Sequence, residues 1–269
     1  MDKTLDIHGA ALFVTDSGGP GEPLMFLPGF LFDGRQFDPQ VRSLRATYRC
    51  LTLDFRGQGR SAPARGGYQI EQQTADVAAV IGQLGLPPVH LVGLSMGGFV
   101  SMRIAARQPH LVRSLTLVNT SAAPHPKRKF PKQLALAGVA RVAGVSLPPI
   151  VAGIEDEMYG QAFRTDPSRA AERDVWRRRW AAADRASLVR TLLGFMIRPD
   201  MRAELPDIIT PTLIISGGSD TSLPPAFSRE MHRLIRGSRY VEVPGAGHSS
   251  PLEAPEAVTS ALREFLAAL

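Results

Sequence analysis

Val89-His90-Leu91-Val92-Gly93-Leu94-Ser95-Met96-Gly97-Gly98-Phe99-Val100 is the stretch on which the fold turns. Its first half is a short apolar run of the kind that forms a buried strand, and from Gly97 to Arg107 apolar residues recur at helical spacing. Between them lies a G-x-S-x-G pattern, Gly93, Ser95 and Gly97. A serine at a sharp strand-to-helix turn is held in a strained backbone conformation with its hydroxyl exposed, and glycines are required on either side because neighbouring side chains would collide there. A packing turn with an incidental serine is the bland alternative. It leaves the order of strand, turn and helix unexplained.

Outward from this turn, short apolar runs alternate with longer amphipathic stretches. Strands are predicted at 11–15, 24–27, 50–55, 89–93, 114–118, 212–216 and 240–243, and helices at 70–84, 97–107, 225–235 and 251–266. Several runs are apolar on both faces, which points to βα units building a mostly parallel α/β sheet. The alternation stops at Asn119 and resumes only at Pro211. The interval is rich in Arg and Ala, with Met158, Phe163, Trp176, Trp180, Leu188, Leu192 and Phe195 spaced for amphipathic helices. The expected organisation is an α/β core formed by 1–121 and 206–269 and a helical cap formed by 122–205, bracketed by Pro124, Pro126 and Pro131 at one end and Pro199 and Pro206 at the other.

A serine hydroxyl is a weak nucleophile at neutral pH and needs a base, itself oriented by a carboxylate. Asp220 follows the run 212–216 in Gly217-Gly218-Ser219-Asp220, and His248 follows the run 240–243 in Pro244-Gly245-Ala246-Gly247-His248. Both sit on loops at the carboxyl ends of predicted strands, which makes Ser95, Asp220 and His248 the candidate catalytic residues. Asn119 is excluded as the acid, because an amide cannot neutralise an imidazolium. His8, His90, His110 and His232 read as structural or solvated. His125 opens the insertion and is a candidate for the mouth of a site. Trp176 and Trp180, four apart and so on one helical face, either line a substrate pocket or fasten the insertion to the core.

Length and composition bound the rest. The chain has 269 residues, 44% hydrophobic and 21% charged, which excludes disorder, and its one cysteine, Cys50, excludes a disulfide scaffold. Charge needs locating: of 31 Lys and Arg against 25 Asp and Glu, residues 122–205 hold 15 and 9, leaving 16 of each elsewhere. The net +6 therefore belongs to the insertion, and a nucleic-acid partner is not expected. Arg173, Arg177 and Arg178 of this stretch either attract an anionic substrate or form a solvated face. The N-terminus lacks the basic flank and apolar core of a signal peptide, and the long uncharged run 77–102 is broken by Gly85, Pro87 and Pro88, so no membrane segment is expected and a cytoplasmic location is the default.

Outside the insertion, the chain resembles an α/β-hydrolase fold serine hydrolase over most of its length. Three stretches carry the resemblance: Gly93-Leu94-Ser95-Met96-Gly97-Gly98, Asp54-Phe55-Arg56-Gly57-Gln58-Gly59-Arg60-Ser61, and Leu27-Pro28-Gly29-Phe30 at the family's His-Gly-x position after the third strand. The resemblance implies a cap inserted after the sixth strand and an oxyanion hole formed by the backbone N–H groups of Phe30 and Met96. It assigns Asp54 and Arg56 a bracing role. Pro28 stands where the family usually has His. Within the family, the segments 51–61, 90–98 and 115–120 are similar to those of the 3-oxoadipate enol-lactonase and esterase group.

A serine nucleophile, rather than aspartate, excludes the dehalogenase and epoxide hydrolase chemistries of this fold and leaves attack on a carbonyl. The expected reaction is hydrolysis of a small carboxylic ester or lactone, with no metal or cofactor. A carbon–carbon bond hydrolase of a β-diketone shares the same tetrahedral intermediate, and a ligand-binding protein with vestigial hydrolysis is the reading from another class.

Overall fold

In the computed structural model, which describes residues 1–269, eight strands form one sheet: β1 (Asp2–Ile7), β2 (Ala10–Asp16), β3 (Pro23–Leu27), β4 (Arg49–Leu53), β5 (Val89–Leu94), β6 (Val112–Val118), β7 (Thr212–Gly217) and β8 (Arg239–Val243). Their spatial order is β1-β2-β4-β3-β5-β6-β7-β8. β2 runs antiparallel to both of its neighbours, and every pairing from β4 through β8 is parallel. All the loops that follow β3, β5, β6, β7 and β8 therefore leave the sheet at one edge.

The core helices are α1 (Asp38–Leu44), α2 (Ile70–Gln83) and α3 (Met96–Arg107). The interval between β6 and β7 holds α4 (Phe130–Ala143), α5 (Pro148–Met158), α6 (Gln161–Thr165), α7 (Ala170–Ala182) and α8 (Arg185–Met196), and the chain ends with α9 (Pro225–Leu234), α10 (Ser250–Glu253) and α11 (Pro255–Leu266). β3 and β5 are buried at every position, as strands covered on both faces must be. Alternate side chains divide between the faces: Met25 and Leu27 pack with Val77, Val80 and Val100, whereas Leu24 and Phe26 pack with Phe37, Val258 and Leu262. Each such side chain contributes about 1.5–3 kcal/mol by leaving water.

The sequence reading lacks α1, and two further differences have local causes. β1 is absent from the predicted strands, because Asp2, Lys3, Thr4 and Asp6 give its run little apolar character. It forms through a two-residue hairpin in which His8 and Gly9 have φ of 49° and 70°, with Ile7 paired to Ala10. Positive φ at both central residues is the requirement of a type I′ turn, met more often by Asn-Gly. The predicted helix 251–266 is split at Ala254, whose φ of −133° and ψ of 62° lie outside the helical region. Pro255 follows it, and the proline ring disfavours the helical region for the residue before it.

The insertion is seated in two places. At its neck, Ala122, Met201 and Leu205 join the main core, and the Met201 N–H donates to the Ala122 carbonyl at 2.9 Å. On its underside, Phe32 of the core meets Trp176 and Trp180 at ring separations of 4.8 and 5.8 Å. No helix is long and apolar enough to cross a membrane.

Candidate active site

Ser95 joins β5 to α3 with φ 51° and ψ −110°, a conformation rarely open to a residue with a side chain. The surrounding backbone holds it there. Its N–H donates to the Val118 carbonyl at 2.9 Å, and its own carbonyl accepts from Thr120 Oγ1 at 2.8 Å and from the Phe99 N–H at 3.0 Å. A Cβ on Gly93 would lie 2.4 Å from the Gly97 carbonyl oxygen, and one on Gly97 would lie 2.1 Å from that of Leu27. Neither position tolerates a side chain.

Asp220 follows β7 and His248 follows β8, at the edge of the sheet where Ser95 emerges. The two are joined by a 2.8 Å hydrogen bond from His248 Nδ1 to Asp220 Oδ2. A carboxylate only accepts, so its partner fixes the tautomer: Nδ1 carries the hydrogen and Nε2 is left bare. The rest of the Asp220 carboxylate is also engaged. Asn119 Nδ2 donates to Oδ2 at 2.8 Å, and the N–H groups of Ser222 and Leu223 donate to Oδ1 at 2.9 Å each. Asn119 therefore has a place that excluding it as the acid did not reveal. Its own oxygen accepts from Ser250 Oγ at 2.6 Å, which fixes the amide's orientation.

Burial alone would push the His248 imidazole below its ordinary range, but the charge and hydrogen bond of Asp220, aided by Glu253 and Glu157, hold its pKa above 6.5. Ser95 Oγ makes no protein hydrogen bond, so the serine–histidine contact is the one link of the constellation that this structure leaves open. Such contacts often tighten only when substrate is bound.

Glu253 is a site residue that sequence reasoning missed. Its carboxylate accepts from the N–H groups of Gly247 and Ser249, the two neighbours of His248, at 2.8 and 2.9 Å, and from Gly160 of the insertion at 2.8 Å. One half-buried carboxylate thus clamps the histidine loop and ties it to the insertion. Burial pushes this carboxyl up, against the three N–H groups and His248.

The loop after β3 shows a pattern of donors. The Gly29 N–H is taken by Gln36 Oε1 at 3.1 Å, the Leu31 N–H by Gln58 Oε1 at 3.0 Å, and the Gly34 N–H by Asp54 Oδ1 at 2.7 Å. The Phe30 N–H between them has no partner. Met96 opens α3, so its N–H likewise has no helical acceptor. The Gly97 N–H donates to the Pro28 carbonyl at 3.1 Å, locking this loop to the turn at Ser95. Asp54 and Gln58 brace the loop directly, while Arg56 pairs with buried Asp76 through Nε at 2.8 Å. This is structural work of the kind implied for that segment.

His125 lies in an aromatic wall, 5.9 Å from the ring of Phe195, which in turn lies 5.3 Å from that of Phe30. Burial drives its pKa down to about 4, so it is neutral at pH 7, and Nε2 donates to Gln133 Oε1. Trp176 and Trp180 are 2% and 1% exposed, in a cluster with Phe32 and Leu252. That packing favours the fastening role over the pocket wall. Arg173 is not on a solvated face: it is buried, with Nη1 donating to the carbonyls of Phe163 and Asp166. Arg177 is paired with Glu155 and Asp174. No group of three or more His, Cys, Asp or Glu is arranged to hold a metal ion.

Comparison with known proteins shows the family and the fold. A family model described as the alpha/beta hydrolase fold matches residues 22–255. The structure is similar to that of an enol-lactonase from Burkholderia xenovorans, with a TM-score of 0.90 and 28% identity over 98% of this chain and 100% of that one. A thermophilic esterase from Thermogutta terrifontis gives a TM-score of 0.90 and 28% identity over 99% and 98% of the two chains. A Mycobacterium tuberculosis protein named as a non-heme bromoperoxidase is 30% identical over 262 residues, 94% of this chain and 97% of its own length.

Proposed function

Because the chain belongs to the alpha/beta hydrolase fold family, we propose that it is a serine hydrolase of small carboxylic esters or lactones, with Ser95, His248 and Asp220 as its catalytic triad and residues 122–205 as a cap over the site. One observation carries the reading: a serine in a strained turn shares a sheet edge with a hydrogen-bonded His248–Asp220 pair whose free Nε2 is the proton acceptor the serine needs. The similarity to an esterase and to an enol-lactonase supports it.

In this mechanism Ser95 Oγ attacks the carbonyl carbon as His248 Nε2 takes its proton. Asp220 stabilises the imidazolium without itself being protonated. The negative charge that develops on the carbonyl oxygen is received by the N–H groups of Phe30 and Met96, two donors fixed before the substrate arrives, each worth about 3–4 kcal/mol in comparable sites. When the intermediate collapses, the alkoxide leaves with the proton from His248. Water then attacks the acyl-serine by the same steps and releases the acid. A cleft of about 390 Å³ lies between Phe130 and Leu134 of α4, Leu193 and Gly194 of α8, and the core segment Arg65–Gln69. Phe130, which lines it, lies 5.7 Å from the ring of His125, but Ser95, His248, Phe30 and His125 themselves do not line this cleft.

The test is a pH–rate profile over a panel of p-nitrophenyl acetate, small lactones and a vinylogous β-diketone. His248 acts only when neutral, and its pKa is held above the ordinary 6.5. kcat/KM is therefore expected to be flat at high pH and to fall below a midpoint above 6.5, since this parameter titrates with the free enzyme. A rate independent of pH between about 5 and 8 would sink the histidine base. Cleavage of the diketone alone would move the reaction to carbon–carbon bonds. Glu253→Gln removes one of the charges that raise His248. It is expected to shift the acid limb to lower pH, and an unmoved limb would leave Glu253 a purely mechanical clamp.

A further inference from the structure

The positive charge of the insertion is concentrated in one short stretch. Between Ala122 and Ile154 there are five basic residues, Lys127, Arg128, Lys129, Lys132 and Arg141, and no Asp or Glu, which leaves 10 basic against 9 acidic in the rest of 122–205. The ion pairs of the insertion are made by Arg164, Arg169, Arg177 and Arg202, and none by these five. Lys127, Arg128, Lys132 and Arg141 are exposed, and Arg141 lies within electrostatic reach of Asp184 without bonding it. The cluster does not serve the helix it precedes. Lys127–Lys129 form a 3₁₀ turn that leads into α4, and cations at a helix N-terminus oppose its dipole.

α4 itself is apolar on both sides. Phe130, Gln133, Ala137 and Ala140 form the inner side, buried or half-buried, and α4 packs on α8. Ala135, Gly138, Val139 and Val142 follow the i, i+3, i+4, i+7 spacing of a single helical stripe, and all four are exposed. Leu134 and Leu136 border the stripe and Leu147 follows the helix, all three exposed, and Val142 is 79% exposed. A helix face turned to water ordinarily carries polar side chains, and here only Lys132 interrupts the apolar surface. Outside the insertion the exposed large apolar residues are Met1, Ile209 and Leu269, scattered along the chain. Single ones are ordinary, whereas a patch marks a surface that meets something.

We propose that the outer face of α4, with its basic fringe, docks on the surface of an anionic phospholipid bilayer, the helix lying in the plane of the interface. A bilayer takes in aliphatic side chains without a matching shape, and its headgroups supply the counter-charge that this stretch lacks. A second copy of the chain fits worse, because a two-fold pairing of α4 would set five cations against five. A protein partner fits worse too: the stripe holds none of the Trp, Tyr or Arg side chains that anchor protein interfaces. The 14 residues of α4 rise about 21 Å, short of the hydrocarbon core of about 30 Å, so the helix lies along the surface and does not cross it. The inference is independent of the reading of Ser95 as the nucleophile.

The experiment is co-sedimentation of the intact protein with vesicles of phosphatidylcholine, alone and mixed with phosphatidylglycerol, at low and high salt. Wild type is expected to partition onto the mixed vesicles at least about tenfold better than onto the neutral ones, since each cation near an anionic surface is worth a factor of about five. High salt should erase that preference. Val139→Gln/Val142→Gln removes apolar area without changing charge, and Lys127→Gln/Arg128→Gln/Lys132→Gln removes charge while keeping both valines. Each variant is expected to bind the mixed vesicles about tenfold more weakly or worse. All five positions are exposed, so thermal unfolding should stay within a few degrees of wild type. If the valine variant fails to fold, the charge variant decides. Absence of binding to mixed vesicles, equal binding to both kinds, or unchanged binding in either folded variant overturns the proposal. So does a dimer, seen by light scattering, that Val139→Gln/Val142→Gln dissociates, because the face would then belong to a second copy. Binding is read without turnover, so a protein that adsorbs as expected yet hydrolyses no ester sinks only the hydrolase reading.

Discussion

Ser95→Ala is expected to lower kcat for p-nitrophenyl acetate by about 10⁴- to 10⁶-fold, the range for loss of the nucleophile in a serine triad. The loss should be close to total because no other residue can take over. The unpartnered N–H groups of Phe30 and Met96 would still receive an oxyanion, but only water could attack, with no covalent intermediate to divide the barrier. The fold should be unaffected. Alanine at 95 keeps a Cβ in the same strained backbone, held by the same bonds to Val118 and Phe99. Thermal unfolding should thus stay within a few degrees of wild type, while Ser95→Gly, which tolerates φ 51°, should be the more stable variant. Intact-mass analysis gives a second readout. A fluorophosphonate should add once to wild type, at Ser95, and not to the alanine variant. Hydrolysis persisting at the wild-type rate, or labelling elsewhere, would refute the nucleophile.

What can be read in the chain, and what cannot, separates along one line. Ser95, Asp220 and His248 are legible because each announces itself locally, by residue type and by its place just after an apolar run. Phe30 is legible only through resemblance. Nothing in Leu27-Pro28-Gly29-Phe30 says that Gln36 and Gln58 take the amides on either side and leave one free. Glu253 is illegible for a deeper reason. Glu253 matters because it bonds segments 93 residues apart in sequence, Gly160 and itself. The tryptophans show the same limit: helical spacing places Trp176 and Trp180 on one face, and only their burial against Phe32 shows what that face meets.

Asp220→Asn is expected to reduce kcat by about 10⁴-fold with little change in fold, as loss of the orienting carboxylate does in a serine triad. The bonds around Asp220 explain why an isosteric amide should fail so badly. The N–H groups of Ser222 and Leu223 both point at the Oδ1 position, so the oxygen of the substituted amide would be held there. Its NH₂ group must then occupy the Oδ2 position, where it faces two donors, His248 Nδ1–H and Asn119 Nδ2. Asn119 cannot readily turn round, because its oxygen accepts from Ser250 Oγ. His248 can yield by moving its proton to Nε2 and accepting from the new NH₂ through Nδ1. That relieves the clash but leaves Nε2 protonated and unable to take the hydrogen of Ser95. Two further measurements separate this account from simple loss of charge. Asp220→Ala, which removes the NH₂ along with the carboxylate, should leave His248 free to adopt either tautomer and so be no worse than Asp220→Asn. In Asp220→Asn itself, adding Asn119→Asp supplies an acceptor at the crowded position and should recover part of the lost activity. If Asp220→Asn retains more than about a tenth of wild-type kcat, far above the loss seen in comparable triads, the tautomer is not set by this residue, and the acid of the triad lies elsewhere.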